Sequence, residues 1–171
     1  TMEKRQISFS PPDITEEEIE AVAEVMRSGW ITTGPKTKEL ERKMAEFTHT
    51  NRGVCLNSAT SCMEMALRLF EIGPGDEVIV PAYTYTASAS VVCHVGATLR
   101  LVDVEKGTFH IDYAAVESMI NENTKAIIPV DLGGVMVDYD RIRAIVESKK
   151  SLFRPSSKMQ EALGHILILA D

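Results

Sequence analysis

The feature that most constrains the fold of this chain is the regular alternation of short apolar runs with longer amphipathic stretches after Gly53. The runs "GVCL", "EVIVP", "TLRLVDV", "KAIIPV" and "HILILA" have the length of strands, and the stretches between them have helical spacing of apolar residues. Strands joined through helices imply right-handed crossovers. The pattern therefore predicts an α/β protein whose mostly parallel sheet is covered by helices on both faces.

The residues before this alternation carry a helical pattern of their own. In "PPDITEEEIEAVAEVMRSG", Thr15 and Glu18 stand at capping-box spacing and the stretch closes at Gly29, which predicts a helix with both ends encoded. A second helix is predicted within "KTKELERKMAEF", after the loop "GWITTGP". We therefore expect an N-terminal helical segment over residues 1–50 and an α/β domain over residues 51–171.

One stretch of the predicted α/β domain departs from the alternation. The residues "SLFRPSSKMQEALG", at positions 151–164, are polar and interrupted by proline just before the last strand-like run. We expect this stretch to be a flexible insertion.

Composition restricts the class of protein. The chain is 44% hydrophobic and 25% charged, as globular proteins are, and no apolar stretch approaches the roughly 20 residues of a membrane span. The net charge of −7 argues against a nucleic-acid surface. The three cysteines lack the spacing of a metal site, and the N-terminus lacks the apolar core of a secretory signal, so a reduced cytoplasmic protein without a metal is expected.

Small polar residues follow the first strand-like run and precede a helical stretch. The sequence "NSATS" contains Asn57, Ser58, Thr60 and Ser61. Hydroxyl residues at a helix N-terminus, with its free N–H groups and positive dipole end, suit a phosphate, although simple helix capping explains them as well. The glycine-rich fingerprints of dinucleotide and P-loop sites are absent.

Two further strand ends carry residues that suit a planar ring. Tyr83 and Tyr85 follow "EVIVP", where an aromatic side chain either stacks on a ligand or covers the sheet edge. Asp171 follows "HILILA", where a carboxylate either pairs with a protonated ring nitrogen or caps the next segment. Because the ends of parallel strands meet at one edge, the three groups together outline a site for a phosphorylated pyridine.

The order and spacing of several motifs resemble one known family. They are "ISFSPPDITEEEIEAV", "SGWITTGPKTKELERKMAEF", "NSATSCMEMAL", "GPGDEVIVPAYTYTASASVV", "GATLRLVDVEKGTFHID", "TKAIIPVDLGG" and "ILILAD". The chain resembles the N-terminal part of sugar-nucleotide aminotransferases of the DegT/DnrJ/StrS type. The resemblance implies a truncated large domain of the fold-type I enzymes that use pyridoxal 5′-phosphate (PLP).

The resemblance also implies roles for individual residues. Thr60 and Ser61 would bind the cofactor phosphate, Tyr85 would stack on the ring, and Asp171 would hold the ring nitrogen. The family's loop near the substrate pocket corresponds here to Trp30, Thr32, Thr33 and Gly34. Gly133 and Gly134 would let the chain pass close to the cofactor edge, and a plain turn explains them nearly as well.

The family's Schiff-base lysine is missing from these residues. In the family it follows the cofactor aspartate, whereas here the sequence stops at Asp171, and no lysine present lies in a similar segment. We therefore assign no catalytic residue and expect these 171 residues alone not to catalyse transamination. We also expect an exposed apolar edge at the last strand.

The substrate and partners follow only from the resemblance. It implies a keto-sugar nucleotide as substrate, glutamate as amino donor and a homodimer, whereas the expectation of no nucleic-acid or membrane partner comes from the charge and the composition. A sugar dehydratase of the same family and a non-catalytic binding or assembly module remain as alternatives. An unrelated Rossmann-like nucleotide-binding domain is disfavoured by the absence of GxGxxG.

Overall fold

The computed structural model describes residues 7–8 and 10–171 in two compact units, Thr1–Cys55 and Leu56–Asp171. The beginning of the segment predicted over residues 1–50 therefore lies partly outside the described residues.

The N-terminal unit contains two helices, α1 (Glu16–Ser28) and α2 (Pro35–Phe47). The predicted capping box of α1 is confirmed: the Thr15 N–H donates to Glu18 Oε2 at 2.6 Å. Gly29 ends α1 at a φ of 73°, in the left-handed region that glycine favours. Neither helix contains a buried residue, and most of their large apolar side chains are exposed.

The second unit contains a four-stranded, all-parallel sheet in the order β2-β1-β3-β4. The helices and strands of the unit are α3 (Ala59–Leu69), β1 (Glu77–Pro81), α4 (Thr86–His94), β2 (Thr98–Val102), α5 (Tyr113–Met119), β3 (Thr124–Ile127), α6 (Tyr139–Ser148), α7 (Lys158–Leu163) and β4 (Leu167–Ile168). Short 3₁₀ turns occupy Leu132–Gly134 and Lys150–Leu152. Among the described residues, no helix has the length and apolar character to cross a membrane.

The core lies in two layers on opposite faces of this sheet. Alternate residues of β1 face opposite layers: Ile79 belongs to the layer with residues of α5 and α6, whereas Val78 and Val80 belong to the layer with residues of α3 and α4. Burial on both faces explains why the strands read as continuous apolar runs. The predicted α/β class with helices on both faces is confirmed.

The expected strand at "GVCL" is wrong. Residues 53–56 form no strand, and Val54 is exposed. A strand needs a neighbour for its main-chain hydrogen bonds, but the Cys55 N–H donates instead to the Glu41 carboxylate at 2.9 Å. Apolar content alone therefore gave a false strand here.

The expected flexible insertion at 151–164 is also wrong. Most of it is the 3₁₀ turn at Lys150–Leu152 and helix α7, and Phe153 is buried in the core. Gln160 of α7 is 1% exposed, and its Nε2 donates to the buried carboxylate of Asp76 at 3.2 Å. The Ser156 hydroxyl also donates to Asp76, at 3.1 Å, so the polar side chains of this stretch hold it to the turn before β1 through hydrogen bonds to a buried carboxylate.

Candidate functional site

Asp171 lies at the carboxyl edge of the sheet because the pairing between β3 and β4 continues beyond the ends of both strands. The Leu169 N–H donates to the Ile127 carbonyl at 3.0 Å, and the Asp171 N–H donates to the Pro129 carbonyl at 3.0 Å. The Asp131 N–H in turn donates to the Asp171 carbonyl at 2.8 Å. The main chain of Asp171 is thus fixed on both sides.

The Asp171 carboxylate is held by a buried hydroxyl. Ser88 Oγ, which belongs to a fully buried residue in the first turn of α4, donates to Asp171 Oδ2 at 2.5 Å. The Thr84 hydroxyl lies 3.0 Å from the same Ser88 oxygen. Within residues 10–171, Oδ1 of Asp171 accepts no hydrogen bond, so one carboxylate oxygen is held and the other is available.

Helix α3 has a capped N-terminus, but within the described residues two of its first backbone N–H groups have no acceptor. Ser58 Oγ accepts from the Ser61 N–H at 3.1 Å and lies 3.0 Å from the Ser61 hydroxyl. The N–H groups of Ala59 and Thr60 find no acceptor among the residues that the structure describes. Free N–H groups at the positive end of a helix dipole favour an anion.

Helices α3 and α4 flank β1 in the chain: α3 ends before β1 begins, and α4 begins after β1 has ended. The two helices are in contact, because His94 Nδ1 lies 2.9 Å from Glu64 Oε2 and Arg68 Nη2 donates to the His94 carbonyl at 3.4 Å. Hydrogen bonding by Arg68 and then His94 lowers the pKa of Glu64 below 4.5. Since α4 starts just after β1, both helix N-termini point to the carboxyl edge, where Asp171 also lies.

The two candidate tyrosines differ in their surroundings. Tyr83 stacks on Phe109 with ring centroids 5.2 Å apart and planes inclined by 16°. Tyr85 stands at the N-cap of α4 and is 82% exposed, with no side-chain capping bond. Tyr83 is also exposed, at 55%, but Tyr85 is the more exposed of the two and its ring has no stacking partner among the described residues.

A second carboxylate with a hydroxyl partner, that of Asp131, lies beside Asp171. Asp131 accepts from the Tyr139 hydroxyl at 3.0 Å and from the Val137 N–H at 2.8 Å. Burial and the bond to Asp131 raise the pKa of Tyr139 well above its ordinary value of 10.0. Gly133 and Gly134, between these partners, have φ values of 64° and 79°, so the turn itself requires them.

Four residues that make hydrogen bonds at this site were not predicted from the sequence: Ser88, Thr84, Asp131 and Tyr139. A usable signal existed for Ser88, because it stands three and four residues before Val91 and Val92 on the buried side of α4. A hydroxyl on an apolar helical face needs a partner. The pairing of Tyr139 with Asp131 had no comparable signal.

The residues of the predicted substrate loop form a local cluster within the N-terminal unit. Trp30 is 58% exposed, and its Nε1 donates to the Thr33 carbonyl at 3.1 Å. Gly34 is buried, and a β-carbon there would overlap the Trp30 indole ring. An open hollow of about 560 Å³ is lined by Trp30, Thr32 and Gly34 with neighbouring residues of α1 and α2.

The fold and this edge define a protein of the α/β class with a candidate site for an anionic, planar ligand. The model of the DegT/DnrJ/EryC1/StrS aminotransferase family matches residues 12–153. The chain therefore belongs to the DegT/DnrJ/EryC1/StrS aminotransferase family, which confirms the resemblance found in its motifs.

Solved structures of related proteins agree with this assignment. The PLP form of Spr1654 from Streptococcus pneumoniae, named as a sugar aminotransferase, is 57% identical with a TM-score of 0.93, covering 98% of this chain and 43% of that chain. DesV of S. venezuelae is 37% identical with a TM-score of 0.74, covering 78% and 36%. An aminotransferase from Psychrobacter cryohalolentis is 33% identical with a TM-score of 0.77, covering 82% and 36%. The chain thus spans less than half the length of these relatives.

Proposed function

We propose that this chain forms the cofactor-binding part of a PLP-dependent aminotransferase that acts on a keto-sugar nucleotide. The observation that carries the proposal is the Asp171 carboxylate at the sheet edge, with one oxygen held by Ser88 and the other available. Membership of the family and the PLP and PMP forms of Spr1654 support it.

The residues at the edge fit PLP in charge and shape. The unpaired N–H groups of Ala59 and Thr60, with the hydroxyls of Thr60 and Ser61, would hold the phosphate. The exposed ring of Tyr85 would cover one face of the pyridine, and Asp171 would pair with its nitrogen.

Each group has a distinct task in this proposal. When bound, PLP supplies an electron sink for the substrate carbanion. Asp171 keeps a proton on the ring nitrogen through the attraction of opposite charges. The N-terminus of α3 anchors the phosphate, and Tyr85 excludes water from one ring face.

The wider setting of the reaction is part of the same proposal. The substrate class is supported by the name of Spr1654 as a sugar aminotransferase. Glutamate as the donor and a homodimeric state are carried over from the family resemblance. The loop with Trp30, Thr32, Thr33 and Gly34 would contact the sugar substrate, and the three free thiols are consistent with a reducing cytoplasm.

Binding of PLP and of pyridoxal, which lacks the phosphate, tests the site. Asp171→Asn is expected to weaken both ligands by about tenfold, because it removes a charge pair. Thr60→Val is expected to weaken PLP alone. Asp140→Asn, at a carboxylate whose side chain is 95% exposed, is the control. Equilibrium dialysis measures the dissociation constant of each ligand for the three variants and the unaltered protein, and equal values for Asp171→Asn and the control would refute the proposal.

A further inference from the structure

We propose that Ser88, supported by Thr84, is a positioning residue that sets the orientation of the Asp171 carboxylate toward the cofactor ring. The inference rests on the proposed function, because it concerns the residue expected to pair with the ring nitrogen. It goes beyond that function by assigning a task to two hydroxyls on α4 and the loop before it.

The direction of the hydrogen bonds follows from the chemistry of the groups. A carboxylate only accepts hydrogen bonds, so the single Ser88 hydroxyl proton points to Asp171 Oδ2 over 2.5 Å. Ser88 Oγ is then the acceptor from the Thr84 hydroxyl at 3.0 Å. The result is one ordered relay, from Thr84 to Ser88 to Asp171.

Because Ser88 is buried, the loss of either of its hydrogen bonds is costly. Ser88 is fully buried, so water does not replace a lost partner. A distance of 2.5 Å falls in the range of charge-assisted O–H···O bonds, which are about twice as strong as neutral ones. Removing the Ser88 hydroxyl therefore leaves the Asp171 oxygen without its partner.

The relay complements the main-chain bonds of Asp171. Pro129 and Asp131 fix the backbone on both sides, which leaves the side-chain torsions as the remaining freedom. Ser88 removes that freedom by binding Oδ2, while Oδ1 accepts nothing within residues 10–171. The oxygen presented to a ring nitrogen is therefore Oδ1.

The test compares Ser88→Ala with Ser90→Ala in the purified protein. Ser90 stands on the same helix, and its hydroxyl donates to the Ala87 carbonyl at 3.2 Å without contacting Asp171. We expect Ser88→Ala to weaken PLP and pyridoxal alike by about tenfold and Ser90→Ala by less than about twofold. Ser88→Thr, which keeps the hydroxyl, should restore most of the affinity.

A spectroscopic readout separates positioning from general destabilisation. With PLP labelled at the ring nitrogen, the nitrogen-15 chemical shift should move toward the unprotonated value in Ser88→Ala and not in Ser90→Ala. In an Asp171→Asn background, Ser88→Ala should have no further effect, because the two residues act through one bond. If Ser88→Ala does not fold, Thr84→Val gives the decision, with an expected loss of about threefold in both ligands.

The outcomes separate a failure of the proposed function from a failure of the positioning role of Ser88. If the unaltered protein binds no PLP, or Asp171→Asn binds it equally well, the proposed function fails. If Asp171→Asn weakens binding but Ser88→Ala, or Thr84→Val in its place, matches Ser90→Ala in affinity and chemical shift, the positioning role is overturned and the site stands.

Discussion

Tyr139 and Asp131 form a hydroxyl–carboxylate pair next to Asp171 at the carboxyl edge of the sheet, and their hydrogen bond has a pH-dependent effect on stability. Because burial and Asp131 raise the pKa of Tyr139 above 10.0, the pair stabilises the folded state fully below about pH 10. That contribution is lost as the pH rises through the raised pKa. We expect Tyr139→Phe to lower the free energy of unfolding by about 1–2 kcal/mol at neutral pH, with the difference shrinking in strong alkali.

Urea unfolding over a pH series measures this difference. The control is Tyr83→Phe, whose hydroxyl makes no hydrogen bond among the described residues and whose loss should cost less than about 0.5 kcal/mol at neutral pH. A Tyr139→Phe deficit that does not vary with pH would contradict the raised pKa.

Gly34 is required for space and not for backbone conformation. Its φ of −153° suits any residue, but a β-carbon would overlap the Trp30 ring. Gly34→Ala is therefore expected to displace the indole and break its bond to the Thr33 carbonyl. Trp30 is the only tryptophan, so its fluorescence emission should shift to longer wavelength, whereas Thr33→Ala should leave it unchanged. An unshifted spectrum in Gly34→Ala would refute the packing argument.

Helix α7 makes buried polar contacts with Asp76 in the turn before β1, and the contact of Gln160 is the one buried within the helix itself. Gln160 Nε2 donates to Asp76 Oδ2 at 3.2 Å, and Gln160 Oε1 accepts from the Ser156 N–H at 2.9 Å. Gln160→Leu leaves a buried carboxylate with one partner fewer, at an expected cost of about 2–3 kcal/mol. Denaturant unfolding measures it, with exposed Glu161→Leu on the same helix as control. Equal stability of the two variants would show that the contact does not hold α7.

Elements with local signals could be predicted from the sequence, and elements that depend on distant partners could not. The capping box of α1 and the apolar strand β1 follow from neighbouring residues and are confirmed. The "GVCL" strand is wrong because pairing is decided by another strand. Helix α7 was missed because its anchor, Asp76, lies 84 residues away from Gln160.

The site shows the same limit. The order of the motifs identified Thr60, Ser61, Tyr85 and Asp171. In the fold, the helix and strand ends that contain these residues lie at the carboxyl edge of the sheet. Their roles stay predictions. The bond between Ser88 and Asp171 joins residues 83 positions apart, so no local pattern revealed it.

At the scale of the whole molecule, the buried apolar core belongs to one unit. All residues of both core layers lie within Leu56–Asp171, while helices α1 and α2 bury none. We expect limited proteolysis to cut first within residues 10–55 and to leave a resistant product close to Leu56–Asp171. Mass spectrometry of the products measures this, and first cuts within the sheet would contradict it.

The most direct test of the central claim is an experimental structure determined after addition of PLP. We predict density for the phosphate at the N-terminus of α3, for the ring beside Tyr85, and for the ring nitrogen within hydrogen-bonding distance of Asp171 Oδ1. Bound PLP away from this edge, or a ring nitrogen that faces no carboxylate, would contradict it.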